Sequence, residues 1–500
     1  MFKSIPEAIL KHALNTPEKM CLADDYRSVT YLEYSEQILK GASCLSFMGV
    51  KKNSKIIVES SQSIDYLAMQ ASIQLLGAIF IPVPQNISTE KLQYFFDKVK
   101  PDFVFISNSN ENPFNNKLFF ISDFVKNLHS FSLFNISVYP KSFDISEILF
   151  TTGTTGLEKG IVISYDSNVA LAENVIFGSN LLSDNVEFIL APFNHSHGLR
   201  RYYANMYKGA SVVMQSNVAF VKNIFEKMDA YNVNSMDMVP SALSIILKLS
   251  GDELSKYSEK LRYLQFGSAP ILDVDKDKLR SLLPRTKLLN MYGSTESGIS
   301  CVSDFSIDLK KGSIGKPTIN SNILIVDENN KIINSSYITP GRLACRSRAN
   351  MMYYYGEDLN SIKNVLDDGI VYSNDIAYYD DDGDIILLGR QGDIISVGGY
   401  KFSPEDVESI ALTFLGIDDC ACVPIKDHTK GNIPKLYIQI SQNINKDNFD
   451  LKGLKIHLAE NLEHYKLPQI YEFIDKIPRS YKGSLQRNLL KDIHGERKNN

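Results

Sequence analysis

Apolar residues in the first 150 positions recur at two different spacings. Over 6–13, 31–48 and 63–76 they fall every three to four residues, which predicts helices; over 55–59 and 78–83 they form short dense runs, which predict strands. Helix and strand alternating in this way imply a mostly parallel sheet covered by helices on both faces. The stretch 108–116, rich in Asn with Ser and Pro, reads as a loop. Farther on, apolar runs at 148–150, 161–163 and 188–190 predict strands, and 202–207 looks helical. Near the end, helices at 404–413 and 451–461 mix with strands at 420–425 and 436–440, the pattern of a small α+β unit. At 500 residues with 44% hydrophobic content the chain exceeds one core, so two or more domains are expected.

Charge narrows the partners. A net charge of −5 without a long basic run argues against nucleic acid, and no eighteen-residue uncharged apolar run provides a membrane span. The start, MFKSIPEAIL, lacks the apolar stretch of a signal peptide, so the expectation is a cytoplasmic protein acting on small molecules. Cys21, Cys44, Cys301, Cys345, Cys420 and Cys422 are scattered without zinc-ligand spacing and read as reduced, buried thiols.

The chemistry centres on TTGTTGLEKG, residues 151–160, set between two strand-like runs. Glycines let backbone N–H groups converge, threonine hydroxyls add donors and a lysine adds positive charge, so the segment suits a phosphate-wrapping loop as well as a plain polar hairpin. It is not a Walker motif, because Glu158 stands five residues after Gly153 and Gly160 follows Lys159 instead of preceding it. It does resemble the [ST]-[ST]-G-[ST]-T-G-x-P-K-G signature of the adenylate-forming enzymes, with Glu158 in place of proline. Further segments resemble that family in order: APFNHSHGL at 191–199, Gln265 to Pro270, MYGSTESG at 291–298, Asp375, Arg390, and the terminal run from Pro478 to Arg487.

The resemblance implies an α/β fold: a large amino-terminal domain, 1–390, of layered α/β subdomains with a small β-barrel, and a small mobile α+β domain, 391–500. It implies that Thr151, Thr152, Gly153, Thr154, Thr155, Gly156 and Lys159 hold phosphates, and that the turn Ser268-Ala269-Pro270 passes beside adenine. Tyr292 is expected to stack on the base beside Gly293, Thr295 to bond a phosphate oxygen, Glu296 to hold Mg2+, and Asp375 and Arg390 to reach the ribose. His195 is placed between an acid pocket and a pantetheine channel; a His195/His197 metal pair finds no further ligands. Arg200 and Arg201 suit either a second carboxylate or phosphate, or structural pairing. No aspartate occurs at 191–203, which argues against an α-amino acid as substrate.

In the small domain, Gly399 would lie in the loop that enters the site for thioester formation. Where the family carries its terminal lysine this chain has Ser484, with Lys482 two residues earlier. The expected reaction is therefore ATP-dependent ligation of a small carboxylic acid to CoA, or to another phosphopantetheine thiol, through an acyl-adenylate, with adenylation impaired by Ser484. Two alternatives stand beside it: charging of an acyl or aryl carrier protein, and a nucleotide- or adenylate-binding pseudoenzyme.

Overall fold

The computed structural model describes residues 2–107, 117–152, 158–307, 310–397, 400–427, 431–441, 444–479 and 485–492. Gly153, Thr154, Thr155, Gly156, Gly399, Lys482 and Ser484, and the loop expected at 108–116, lie outside the described residues.

Two sheets organise the large domain. In the seven-stranded sheet, Ile79–Val83, Lys55–Glu59, Phe103–Ile106 and Leu118–Phe120 run parallel, and Ile145–Thr152 joins Ile79–Val83. In the fourteen-stranded sheet the parallel run is Lys287–Ser294, Tyr263–Phe266, Ser235–Met238, Val186–Ile189, Ser211–Met214 and Met20–Ala23. The last of these pairs across a long sequence gap, Leu22 with Val212.

Helices fill the space between the sheets. Tyr31–Phe47, Ile64–Leu75, Tyr165–Ser179 and Ser196–Lys208 contribute to one core with residues of both sheets, including Ile56 and Val58 from one and Leu22, Ile189 and Val212 from the other. Covering on both sides explains why every residue of Ile64–Leu75 except Asp65 is buried. The first of these helices starts where its sequence says it should: Thr30 Oγ1 accepts the Glu33 N–H and Glu33 Oε2 accepts the Thr30 N–H, a capping box in which the Thr30 cap stabilises by about 1 kcal/mol. Outer helices complete the layers, Val221–Ala230 and Pro240–Ser250 on the large sheet and Thr89–Val99 on the other.

The antiparallel strands expected as a small barrel extend the large sheet. Ser313–Pro317 pairs with Gly298–Asp304 on one side and Ile385–Arg390 on the other, so Ile370–Tyr379, Gly341–Ser347 and Ser321–Val326 continue the same hydrogen-bonded path.

From Ile395 onward a separate core forms, with Phe402, Val407, Leu436, Ile438, Leu454 and Leu458. Its central hairpin pairs Ile417–Asp427 with Gly431–Ile440, longer than the runs 420–425 and 436–440 foretold, because pairing extends past the apolar residues. The helix Leu451–Asn461 has its expected bounds, and Pro404–Ala411 starts at the expected Ser403 cap. Among the described residues no helix is long and apolar enough to cross a membrane.

Candidate functional site

The carboxyl ends of the neighbouring strands Val186–Ile189, Ser235–Met238, Tyr263–Phe266 and Lys287–Ser294 open on one crevice, the position at which open α/β sheets bind ligands. Three of the four are followed by predicted segments: residues 191–199 after the first, Ser268 after the third, and Thr295 and Glu296 after the fourth.

Thr151 and Thr152 belong to a strand, not a loop. They pair with Lys159 and Glu158 across the hairpin of Ile145–Thr152 with Glu158–Ser164, so only 153–157 connect the strands. Glu158, which takes the proline's place, forms an ion pair with Lys91 at 2.9 Å. The Glu158–Ser164 strand also pairs with Tyr353–Tyr354. That short strand carries a side chain the sequence reading missed. Tyr354 donates its phenol hydrogen to Glu296 Oε1 at 3.0 Å, while Lys159 Nζ lies 4.7 Å from the centre of its ring. One residue thus joins the loop lysine to the expected metal carboxylate. No spacing rule finds it, since Tyr354 and Lys159 meet through strand pairing.

Gly293 is required by close backbone approach: a Cβ there would stand 2.0 Å from Gly298 O, where the hairpin carrying Glu296 tightens. The Glu296 turn is pinned on two sides. Met351 N donates to Glu296 O at 2.7 Å, and Arg200 donates from Nη1 to Ser294 O at 2.8 Å and from Nη2 to Thr295 O at 3.0 Å. Arg200 is buried, and burial pushes its guanidinium down to about 10 against the opposing charges of Glu147 and Glu296. Its bonds hold the turn, which favours the structural of the two readings left open for Arg200. Arg201 is sealed as well, donating to Glu187 and Gln265 and to Tyr263 Oη at 2.9 Å. Both arginines are buried because their helix lies between two sheets.

Where nucleotide is expected, Tyr292 half-buries its ring against the core around Cys301 and donates its hydroxyl to Asp375 Oδ2. Burial raises both groups, the phenol and the carboxyl. Arg390 is opposite Asp375 in the antiparallel register, with its Nε 3.9 Å from Asp375 Oδ1. The aspartate expected to give both oxygens to a ribose therefore already shares one with Tyr292.

His195 occupies the N-cap position of the helix Ser196–Lys208, so His195 and His197 straddle a helix start and do not form a pair. Gly198 lies where a Cβ would meet Pro192 O at 2.5 Å. Ser196 Oγ is 3.2 Å from Thr295 Oγ1, which ties this segment to the Glu296 turn. His197 turns inward: its Nε2 is 2.8 Å from Asp237 Oδ1 and its Nδ1 2.7 Å from Ser268 Oγ. Ser268 is an exposed residue with a left-handed backbone, φ +69°, followed by Ala269 and Pro270 in the same turn.

The AMP-binding enzyme family matches residues 9–355, and the AMP-binding enzyme C-terminal domain matches residues 406–483. The chain belongs to the AMP-binding enzyme family, within the adenylate-forming superfamily. Among its relatives is a 2-succinylbenzoate–CoA ligase of Geobacillus sp. (strain WCH70), 24% identical over 99% of this chain and 98% of that protein. A 4-coumarate–CoA ligase-like 1 protein of Arabidopsis thaliana is 27% identical over 70% of this chain, a match that spans 65% of the relative. The fold is similar to that of o-succinylbenzoate CoA synthetase from Bacillus subtilis in complex with its acyl-adenylate intermediate, with a TM-score of 0.85 and 20% identity over 97% of this chain and 98% of that one. It is also similar to ATP-bound MatB from Rhodopseudomonas palustris, with a TM-score of 0.87 and 19% identity over 99% of both chains.

Proposed function

We propose that the protein is an AMP-forming acid–thiol ligase that converts a small carboxylic acid, ATP and CoA into an acyl-CoA by way of an acyl-adenylate. The observation that carries this reading is the junction at Tyr354, where a cation from one strand hairpin and a carboxylate from another motif meet at the crevice. Lys159 offers positive charge to a polyphosphate, Thr295 a hydroxyl donor, and Tyr292 with Asp375 a flat, polar-edged surface for a nucleoside. Glu296 suits Mg2+, because a carboxylate that accepts a phenol hydrogen keeps further hard oxygen lone pairs beside the expected phosphates. Bound there, the ion would neutralise charge on the transferred groups. Acid-dependent release of pyrophosphate, requiring Mg2+ and followed by consumption of the CoA thiol, is the expected result. A panel of fatty, aromatic and dicarboxylic acids that gives neither would remove the reading.

Ser484 favours a second reading, a protein that holds nucleotide or adenylate without forming it. The missing lysine would supply charge at the α-phosphate, and loss of such a preorganised group costs about 10²–10³ in rate. Ser484→Lys should therefore speed adenylate formation at least about tenfold, or roughly 1.4 kcal/mol of barrier. The thiol step from presynthesised adenylate should be nearly unchanged. A variant and parent equally inert towards every acid would favour the binding protein.

A further inference from the structure

The strand Glu158–Ser164 is packed differently on its two faces. Val162 belongs to one core with Phe95 and Val99 of the outer helix Thr89–Val99, whereas Ile161 and Ile163 belong to another with Tyr354. Successive side chains of a strand point to opposite faces, so Glu158 shares the face of Val162 and Lys159 that of Ile161. The contacts follow this alternation: Glu158 meets the helix, and Lys159 Nζ lies over the Tyr354 ring.

Three side chains of the helix grip Glu158. Lys91 Nζ pairs with its Oε1 at 2.9 Å, Lys98 Nζ donates to its carbonyl oxygen, and Tyr94 Oη lies 3.5 Å from that same oxygen. Lys91 and Lys98 stand about two helical turns apart with Tyr94 between them, so one stripe of the helix makes all three contacts. On the other edge of the strand, Tyr355 N donates to Gly160 O at 2.7 Å. The residues on both sides of Lys159 are therefore fixed. The signature that this segment resembles has proline where Glu158 stands, and a proline ring sets its own φ at about −65°. Glutamate leaves that torsion free, and the grip of the helix supplies the restraint instead.

Resting on the ligase reading above, we infer that Glu158 is a positioning residue: held by Lys91 and Lys98, it keeps the Lys159 ammonium over Tyr354, beside Glu296, where a polyphosphate can use its charge. The helix Thr89–Val99 thereby takes part in Mg·ATP affinity from the opposite face of the strand. A partly exposed ion pair adds little to global stability, so its loss should be felt at Lys159 and not in the urea midpoint.

The test is a mutant cycle on the full chain, with Mg·ATP affinity measured by calorimetry so that no turnover is needed. Glu158→Gln and Lys91→Met should each weaken Mg·ATP at least about fivefold, while Lys91→Arg, which keeps the pair, should stay within about twofold of the parent, with every urea midpoint unmoved. Lys159→Met should weaken binding at least about tenfold, and Glu158→Gln added to it should cost less than about twofold more. Unchanged affinity in Glu158→Gln or in Lys159→Met, or the same loss from Glu158→Gln with and without Lys159, would overturn the inference and leave the ligase reading intact. So would a urea midpoint that falls in step with affinity. If the parent chain does not bind Mg·ATP, both fall together.

Discussion

Two sets of polar residues in the large domain, carried by different strands, behave in opposite ways. Tyr292, Glu296 and Lys159 are partly buried, and Tyr354, itself buried, bonds Glu296 and lies under Lys159. Glu187, Arg201, Asn205, Asp237 and Tyr263 sit farther back on the strands and their covering helix, sealed from solvent. The adjacent residues Arg200 and Arg201 divide between the two sets: one braces the Glu296 turn, the other neutralises the sealed carboxylates. The open set can exchange its partners for a ligand, whereas the sealed set has no replacement for any of them. Changes should therefore harm chemistry in the first and folding in the second.

The largest effect belongs to the sealed set. Arg201→Met leaves Glu187 buried without its counter-charge and should destabilise the protein by about 3–5 kcal/mol, seen as a lower urea midpoint. A shift under about 1 kcal/mol would erase the distinction. Glu296→Ala should do the reverse, lowering Mg2+-dependent ATP use by about 10²–10³, or roughly 2.7–4 kcal/mol of barrier, with the urea midpoint unmoved.

Glu147 sharpens the comparison, because it is buried on the strand Ile145–Thr152 of the hairpin that carries Lys159. Burial pushes its carboxyl from 4.5 up to about 7, opposed by the hydrogen bond from Tyr203 at 2.5 Å and the charge of Arg200. The folded protein then keeps a proton that the unfolded chain loses, so stability is greatest below about 4.5 and falls as pH rises to about 7, by roughly 2–3 kcal/mol from this group. Unfolding midpoints measured across that range should show the fall, and Glu147→Gln should flatten it. The smallest effect is Tyr354→Phe, which deletes the bond to Glu296 and keeps the ring under Lys159. A loss of about 1.5 kcal/mol should raise the KM for Mg·ATP roughly tenfold without changing the KM for the acid. Equal changes in both would mark Tyr354 as part of the packing.

The crevice was legible because its groups lie within short segments: 291–298 brings Tyr292, Gly293, Thr295 and Glu296 on a single hairpin. The sealed set was not. Arg200-Arg201-Tyr202-Tyr203 looks like a polar surface helix until a second sheet is seen to cover it. His195 and His197 could be weighed as a pair because the helix start at Ser196 has no side-chain cap to announce it. Tyr354, Asp237 and Ser268 find their partners through strand pairing and sheet order, which no local pattern encodes.

The strand Met20–Ala23 cannot take its place beside Ser211–Met214 until 190 further residues have been made, counting from Leu22 to Val212. At about 5–20 residues per second, translation leaves that apolar segment without its permanent neighbour for roughly 10–40 s. The nascent chain thus emerges from the ribosome with one edge of its future ligand-binding sheet unclaimed, and productive synthesis depends on keeping that edge from the wrong companion in the meantime.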